Sequence, residues 1–158
     1  MAARSFVMFV ALLATGACSS AGGGGSVEPG APAAAWTAGR YFLEATVGAT
    51  LSAQEFTGEL TIRAPDDLTL QASSGLCQPP TPADLQRDRA ANERTFDCGA
   101  ARWVVRPIPG GVRGTIRASV EEEYEEQRAC PPGQAGPCYI MRTRVVTRNA
   151  NLRVSPIG

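Results

Sequence analysis

Histidine and lysine are both missing from this chain of 158 residues, so all fifteen of its cations are arginine, and they balance fifteen carboxylates to a formal charge of zero. The absence of histidine removes the commonest general base and the commonest transition-metal ligand. Neither a Ser-His-Asp nor a Cys-His nucleophile can be assembled, and without lysine neither can a Ser-Lys dyad or a Schiff base. The charge balance carries no nucleic-acid footprint. A C-x-x-C redox motif is absent, and so are the close cysteine pairs a four-thiolate zinc site wants. Gly22 to Gly25 form a glycine run with no Lys-Ser/Thr after it, which excludes a phosphate loop. A carboxylate pair for glycosidic chemistry remains open on composition alone, yet no acid sits in a recognisable motif. The expectation is a protein that is not an enzyme and holds no cofactor or metal.

What is present begins with an export signal. Residues 1–20 read MAARSFVMFVALLATGACSS: Arg4 supplies a short cationic region, Ser5 to Ala14 a nearly unbroken apolar one, and Thr15-Gly16-Ala17 a run of small residues. The apolar run is short of the roughly 20 residues a membrane-spanning helix needs. The small residues end on Cys18, and TGAC resembles the lipobox of bacterial lipoproteins, with Thr15 where leucine is usual. The resemblance implies cleavage after residue 17 and acylation of Cys18, with ordinary signal-peptidase cleavage at or near Ala17 as the alternative. Acyl chains bind a bilayer at about 0.8 kcal/mol per buried methylene, so two or three would hold the protein on a membrane unaided by its fold. Ser19 and Ser20, rather than aspartate, resemble the signature of lipoproteins forwarded to the outer membrane, facing the periplasm. The Gly, Pro and Ala tract up to Ala35 cannot bury enough apolar surface to fold. Residues 18–35 are therefore expected to be a flexible tether reaching on the order of 20 Å, and 36–158 a single domain.

The domain reads as all-β. In Phe56–Ser74 Leu60 and Ile62 alternate with polar residues, as do Leu68 and Leu70, and Pro65 presets a turn between them. Folding there sets Ile62 opposite Leu68, Leu60 opposite Leu70, and Arg63 against Asp67. Arg40–Val47 reads as a strand before this hairpin. Ala101–Ile108 and Val112–Val120 read as strands after it, joined by Pro109-Gly110-Gly111, with Trp103, Val105, Ile116 and Ala118 on one face. A last hairpin pairs Ser119–Arg128 with Tyr139–Asn149. It would set Glu126 beside Arg142 and Tyr124 beside Arg144 if Cys130 and Cys138 face each other. Residues Asn151–Ile157 would close an antiparallel meander of about seven or eight strands forming a small barrel or sandwich. Thr81-Pro82-Ala83-Asp84 has the form of a helix N-cap and opens one short helical excursion that runs to about Asn92.

Gly39-Arg40-Tyr41 followed by a Leu-rich hairpin resembles the opening of lipocalin-like bacterial domains, with Tyr41 where tryptophan is usual. That resemblance implies a barrel cavity for an apolar ligand.

With Cys18 assigned to lipid, Cys77, Cys98, Cys130 and Cys138 remain, and an exported protein meets oxidising conditions. Sequence allows three connectivities; Cys77–Cys98 and Cys130–Cys138 are preferred because each pair brackets a local excursion. The acidic run Glu121 to Glu126 lacks the loop and glycine of a calcium-binding hand and reads instead as a salt-bridged hairpin. Arg102, Arg106, Arg113 and Arg117 fall on one face, away from Trp103, as a candidate surface for anionic lipid or sugar polymer, with the Glu-rich hairpin expected to neutralise it. The first expectation is thus a membrane-anchored lipoprotein whose domain binds an envelope component or a small apolar ligand. The alternative is a structural or protein-partner-binding accessory of the cell envelope with a filled interior and an exposed apolar patch.

Overall fold

The computed structural model describes residues 33–49 and 52–158. The signal reading over 1–17, Cys18 and the tether as far as residue 32 lie outside the described residues. Within them the chain forms β1 (Gly39–Val47), β2 (Gln54–Ala64), β3 (Asp67–Ala72), α1 (Pro82–Ala91), β4 (Arg94–Cys98), β5 (Ala101–Ile108), β6 (Gly111–Arg128), β7 (Cys138–Asn151) and β8 (Arg153–Ile157). The strands make two antiparallel four-stranded sheets, ordered β3-β2-β1-β8 and β4-β5-β6-β7, in the manner of a sandwich rather than a closed barrel.

Period-2 alternation builds both sheets. Tyr41, Leu43, Ala45 and Val47 of β1 point inward, with Phe56, Leu60 and Ile62 of β2 beside them. From the other sheet Phe96, Trp103, Val105, Ile116, Ala118 and Val120 complete one core. The β2–β3 hairpin adopts the expected register as far as the turn, Ile62 opposite Leu68 and Leu60 opposite Leu70; a bulge after Ile62 then sets Asp67 opposite Ala64, and Arg63 still reaches Asp67 at 3.5 Å. The indole N–H of Trp103, itself fully buried, donates to the Ser74 hydroxyl at 3.3 Å. That bond satisfies the one polar atom of a large apolar side chain.

Two seams join the sheets. At one, the chain runs from β7 to β8 through Leu152 alone; its N–H donates to the Gly114 carbonyl while β8 pairs with β1. Glycine is required at 114, because a Cβ there would strike the Val104 carbonyl oxygen and lie 2.9 Å from Leu152. At the other seam the Cys77–Cys98 disulfide ties the segment after β3 to β4, beside a bridge between the same two residues. Both preferred disulfides are formed, Cys130–Cys138 closing the β6–β7 loop.

Helix α1 starts as expected. The Thr81 side chain accepts from the Asp84 N–H at 3.2 Å and the Asp84 carboxylate accepts from the Thr81 N–H at 3.1 Å, a reciprocal capping box. The Thr81 hydroxyl also donates to the same carboxylate at 2.6 Å, and this bond, together with that from the Thr81 N–H, holds the Asp84 carboxyl below its ordinary value. Asn92, in the left-handed region at φ 49°, ends the helix.

Three features differ from the sequence reading. Arg94–Cys98, left inside the cysteine-bounded excursion, is a strand, since Arg94, Phe96 and Cys98 alternate inward. The segments 112–120 and 119–128 are one 18-residue strand, β6, whose inward face simply changes from apolar to polar. The β6–β7 register lies two residues from the expected one, with Glu126 opposite Ile140, Tyr124 opposite Arg142 and Glu122 opposite Arg144. A slip of two leaves every side chain on its face. Glu126 still meets Arg142 at 2.8 Å, and Arg144 lies 5.1 Å from the Tyr124 ring centre, both as diagonal contacts.

Candidate functional site: the outward face of the β4-β5-β6-β7 sheet

Strand β5 pairs with β6 only between Gly111 and Ala118, so from Ser119 onward the β6–β7 ribbon continues as a two-stranded arm. The outward face thus has two parts: a cationic region over β5 and β6, and the outer surface of the arm.

The cationic region is the arginine set expected from sequence. Arg102 stands directly opposite Arg117 and Arg106 opposite Arg113, all four exposed on the side away from Trp103. Its neutralisation differs from expectation. Asp97 of β4 takes Arg102 in a two-pronged pair at 2.6 and 3.1 Å, and Glu93 takes Arg106 at 2.7 Å. The Asp97 pair raises the Arg102 guanidinium above its ordinary value. The Glu-rich hairpin does not neutralise the patch, because its ion-paired acids lie on the opposite face. Arg113 and Arg117 have no ion pair among the described residues. Beside them lie two open depressions. One, of about 390 Å³, is lined by Val104, Arg106, Arg113, Thr115, Asn151 and Leu152. The other has Arg102, Arg117, Ser119 and Thr147 along its rim.

On the inner face of the arm the glutamate run is split by the strand's own alternation. Glu122 is buried, and Arg148 grips its two oxygens at 2.8 and 2.9 Å, with Arg144 at 3.8 Å. The hydrogen bonds from Arg148 hold the Glu122 carboxyl below its ordinary value against the opposing effect of burial. Because Glu121, Glu123 and Glu125 face the other way, the run cannot converge on an ion. Among the described residues no group of three or more His, Cys, Asp or Glu side chains could hold a metal.

The outer face of the arm carries Glu121, Glu123 and Glu125 opposite Val145, Thr143 and Met141, with Tyr139 opposite Gln127. Val145, Met141 and Tyr139 are exposed to 69%, 60% and 54%. Sequence reading singled out the acids and arginines of this hairpin and passed over these three apolar residues. Their alternation 139, 141, 145 on the side opposite the arginines was the signal available.

No family model matches the chain, and neither a curated protein nor a solved structure does.

Proposed function

We propose that this protein is an exported, lipid-anchored accessory of the cell envelope that works by contact through the outer face of its second sheet, rather than by enclosing an apolar ligand. The observation that carries this reading is the filled interior. Trp103, Leu43, Leu60, Ile116, Val47, Val105 and Val120 occupy the space between the sheets with essentially no exposure. The depressions on the outer face open on the surface rather than between the sheets; the one beside Arg113 is lined by Val104 and Leu152 as well as by Arg106, Arg113 and Asn151, and the one beside Arg117 chiefly by polar groups. A ligand-carrying barrel keeps its centre for its cargo. Large apolar side chains and unpaired charges sit instead on the arm and the arginine face, as a contact surface requires. The signal and lipobox-like sequence supply the membrane attachment through Cys18.

A native mass spectrum of the protein purified gently from its own membrane tests this. The expected spectrum shows acyl mass, the four-proton deficit of two disulfides and no small-molecule adduct. A non-covalent apolar adduct would overturn it and restore the ligand-binding reading.

A further inference from the structure

The outward side chains of β6 run, in order, Arg113, Thr115, Arg117, Ser119, Glu121, Glu123 and Glu125, and all are exposed. Two cations stand at one end and three anions at the other. None of these charges has an ion-pair partner among the described residues. Over the rest of the described surface most acids are matched to an arginine, as in Arg40–Glu59, Arg89–Asp66 and Arg102–Asp97. Among the described residues the other charged side chains without an ion pair are Glu55, Arg94 and Arg128. Within one copy the arrangement is unfavourable: the three glutamates follow one another at about 7 Å on the same face, and nothing in the strand offsets them.

The order of the residues is self-complementary. Turned end for end about Ser119, the series sets Arg117 against Glu121, Arg113 against Glu125 and Thr115 against Glu123. We propose that the outer face of β6 and β7 docks a second copy of this chain, face to face and antiparallel, about a two-fold axis through Ser119. An isologous contact requires this reciprocity, residue i meeting j while j meets i, and a partner of unrelated sequence does not. Val145, opposite Glu121 on β7, would be covered in the same contact. Packed sheets align with a rotation of about 30°, so the contact is tightest near the axis, and the Arg117–Glu121 pairs carry it more than Arg113–Glu125. The face from Arg113 to Glu125 is roughly 40 Å long and about two strands wide, an area at the small end of specific interfaces, which makes the dimer weak and salt-sensitive.

This inference rests on the contact-surface reading, but its test reads a different quantity. The detergent-solubilised full chain is followed by sedimentation velocity over a range of concentrations at low and high salt. Expected is reversible dimerisation, weaker at high salt. Arg117→Glu alone and Glu121→Arg alone should each raise the dissociation constant by on the order of tenfold, since each swap places like charges together twice per dimer. Combining the two should restore wild-type association, because the swapped pair is again complementary. Both positions are exposed, and an unchanged melting temperature in each variant separates loss of contact from loss of fold. A wild-type chain that stays monomeric throughout at low salt overturns the proposal, as does a double variant no better than the singles. A monomer with an adduct-free mass spectrum would sink the dimer alone; a dimer carrying an apolar adduct would sink the accessory reading alone.

Discussion

Three kinds of side chain set the stability of this molecule at the residue scale: the largest core group, an obligatory glycine and a buried carboxylate. Trp103 fills the centre of the sandwich, and Trp103→Ala is expected to cost about 3–5 kcal/mol by thermal or denaturant unfolding, from lost transfer energy and a cavity the flanking strands cannot close. At Gly114 the Val104 carbonyl and Leu152 leave no room for a methyl group, so Gly114→Ala should destabilise by about 1–3 kcal/mol, read in the same way. Glu122 gives a pH signature. Its carboxyl, held low chiefly by Arg148, is easier to keep ionised folded than unfolded. The pair therefore contributes its full stability above the ordinary carboxylate value of about 4.5, and loses it as pH falls through the lower folded value. The difference in melting temperature between wild type and Glu122→Gln should be largest near neutrality and shrink between about pH 5 and pH 3. A difference independent of pH would show that Glu122 acts by packing alone.

At the scale of elements, α1 and the part of the arm beyond Glu122 are the two pieces that the core does not hold directly, the base of the arm being packed through Val120 and Val146. The helix has few apolar residues, and its attachment is polar: the buried Asp88 carboxylate accepts from the Thr95 N–H at 2.8 Å and from the Thr95 hydroxyl at 3.2 Å, and Arg89 meets Asp66 at 3.0 Å. Asp88→Ala would leave the partly buried Thr95 N–H without its acceptor, at a cost of about 1 kcal/mol, with hydrogen exchange in 82–95 rising before that of β5. Asp88 read from sequence as one more charge on a polar helix; only its placement over β4 gives it a role. The arm is a two-stranded ribbon, an arrangement marginal alone, and the Cys130–Cys138 bond closes its end. Replacing both cysteines by serine should speed exchange along 121–145 while leaving the sandwich's melting temperature nearly unchanged. A large fall in melting temperature would mean that the arm is part of the core's cooperative unit.

For the whole molecule the Cys77–Cys98 bond matters more, because it joins the two sheets at the seam opposite the β7–β8 crossing. In the chain-entropy account a loop of this length is worth about 3 kcal/mol, so a Cys77→Ala/Cys98→Ala chain should lose about that much against guanidinium. Membrane attachment is expected to be separable from all of this. Cys18→Ser should leave the domain's melting temperature unchanged and move the protein from the membrane fraction to the soluble one; retention in the membrane would refute acylation at Cys18.

Local chemistry alone determined a good deal of this protein. Pro65 between two alternating runs was sufficient for the β2–β3 register, since a tight turn leaves one pairing with both apolar faces inward. The capping signature at Thr81 placed a helix that has almost no apolar face, and Gly110-Gly111 turned β5 into β6 with Arg102, Arg106, Arg113 and Arg117 on one side. The tertiary structure decided what depends on partners far along the chain. Whether eight strands close into a barrel or split into two sheets rests on where β7 leaves one sheet for the other, a single residue at Leu152 fitted against Gly114. Arg94–Cys98 is a strand because Val105 and Trp103 lie beside it, and the β6–β7 register is set along the whole ribbon, where long side chains reach diagonal partners equally well in either pairing. Asp97 and Glu93, brought in by β4, decide which arginines stay unpaired. A charge pattern is written in sequence, but which of its members find partners is a matter of distance.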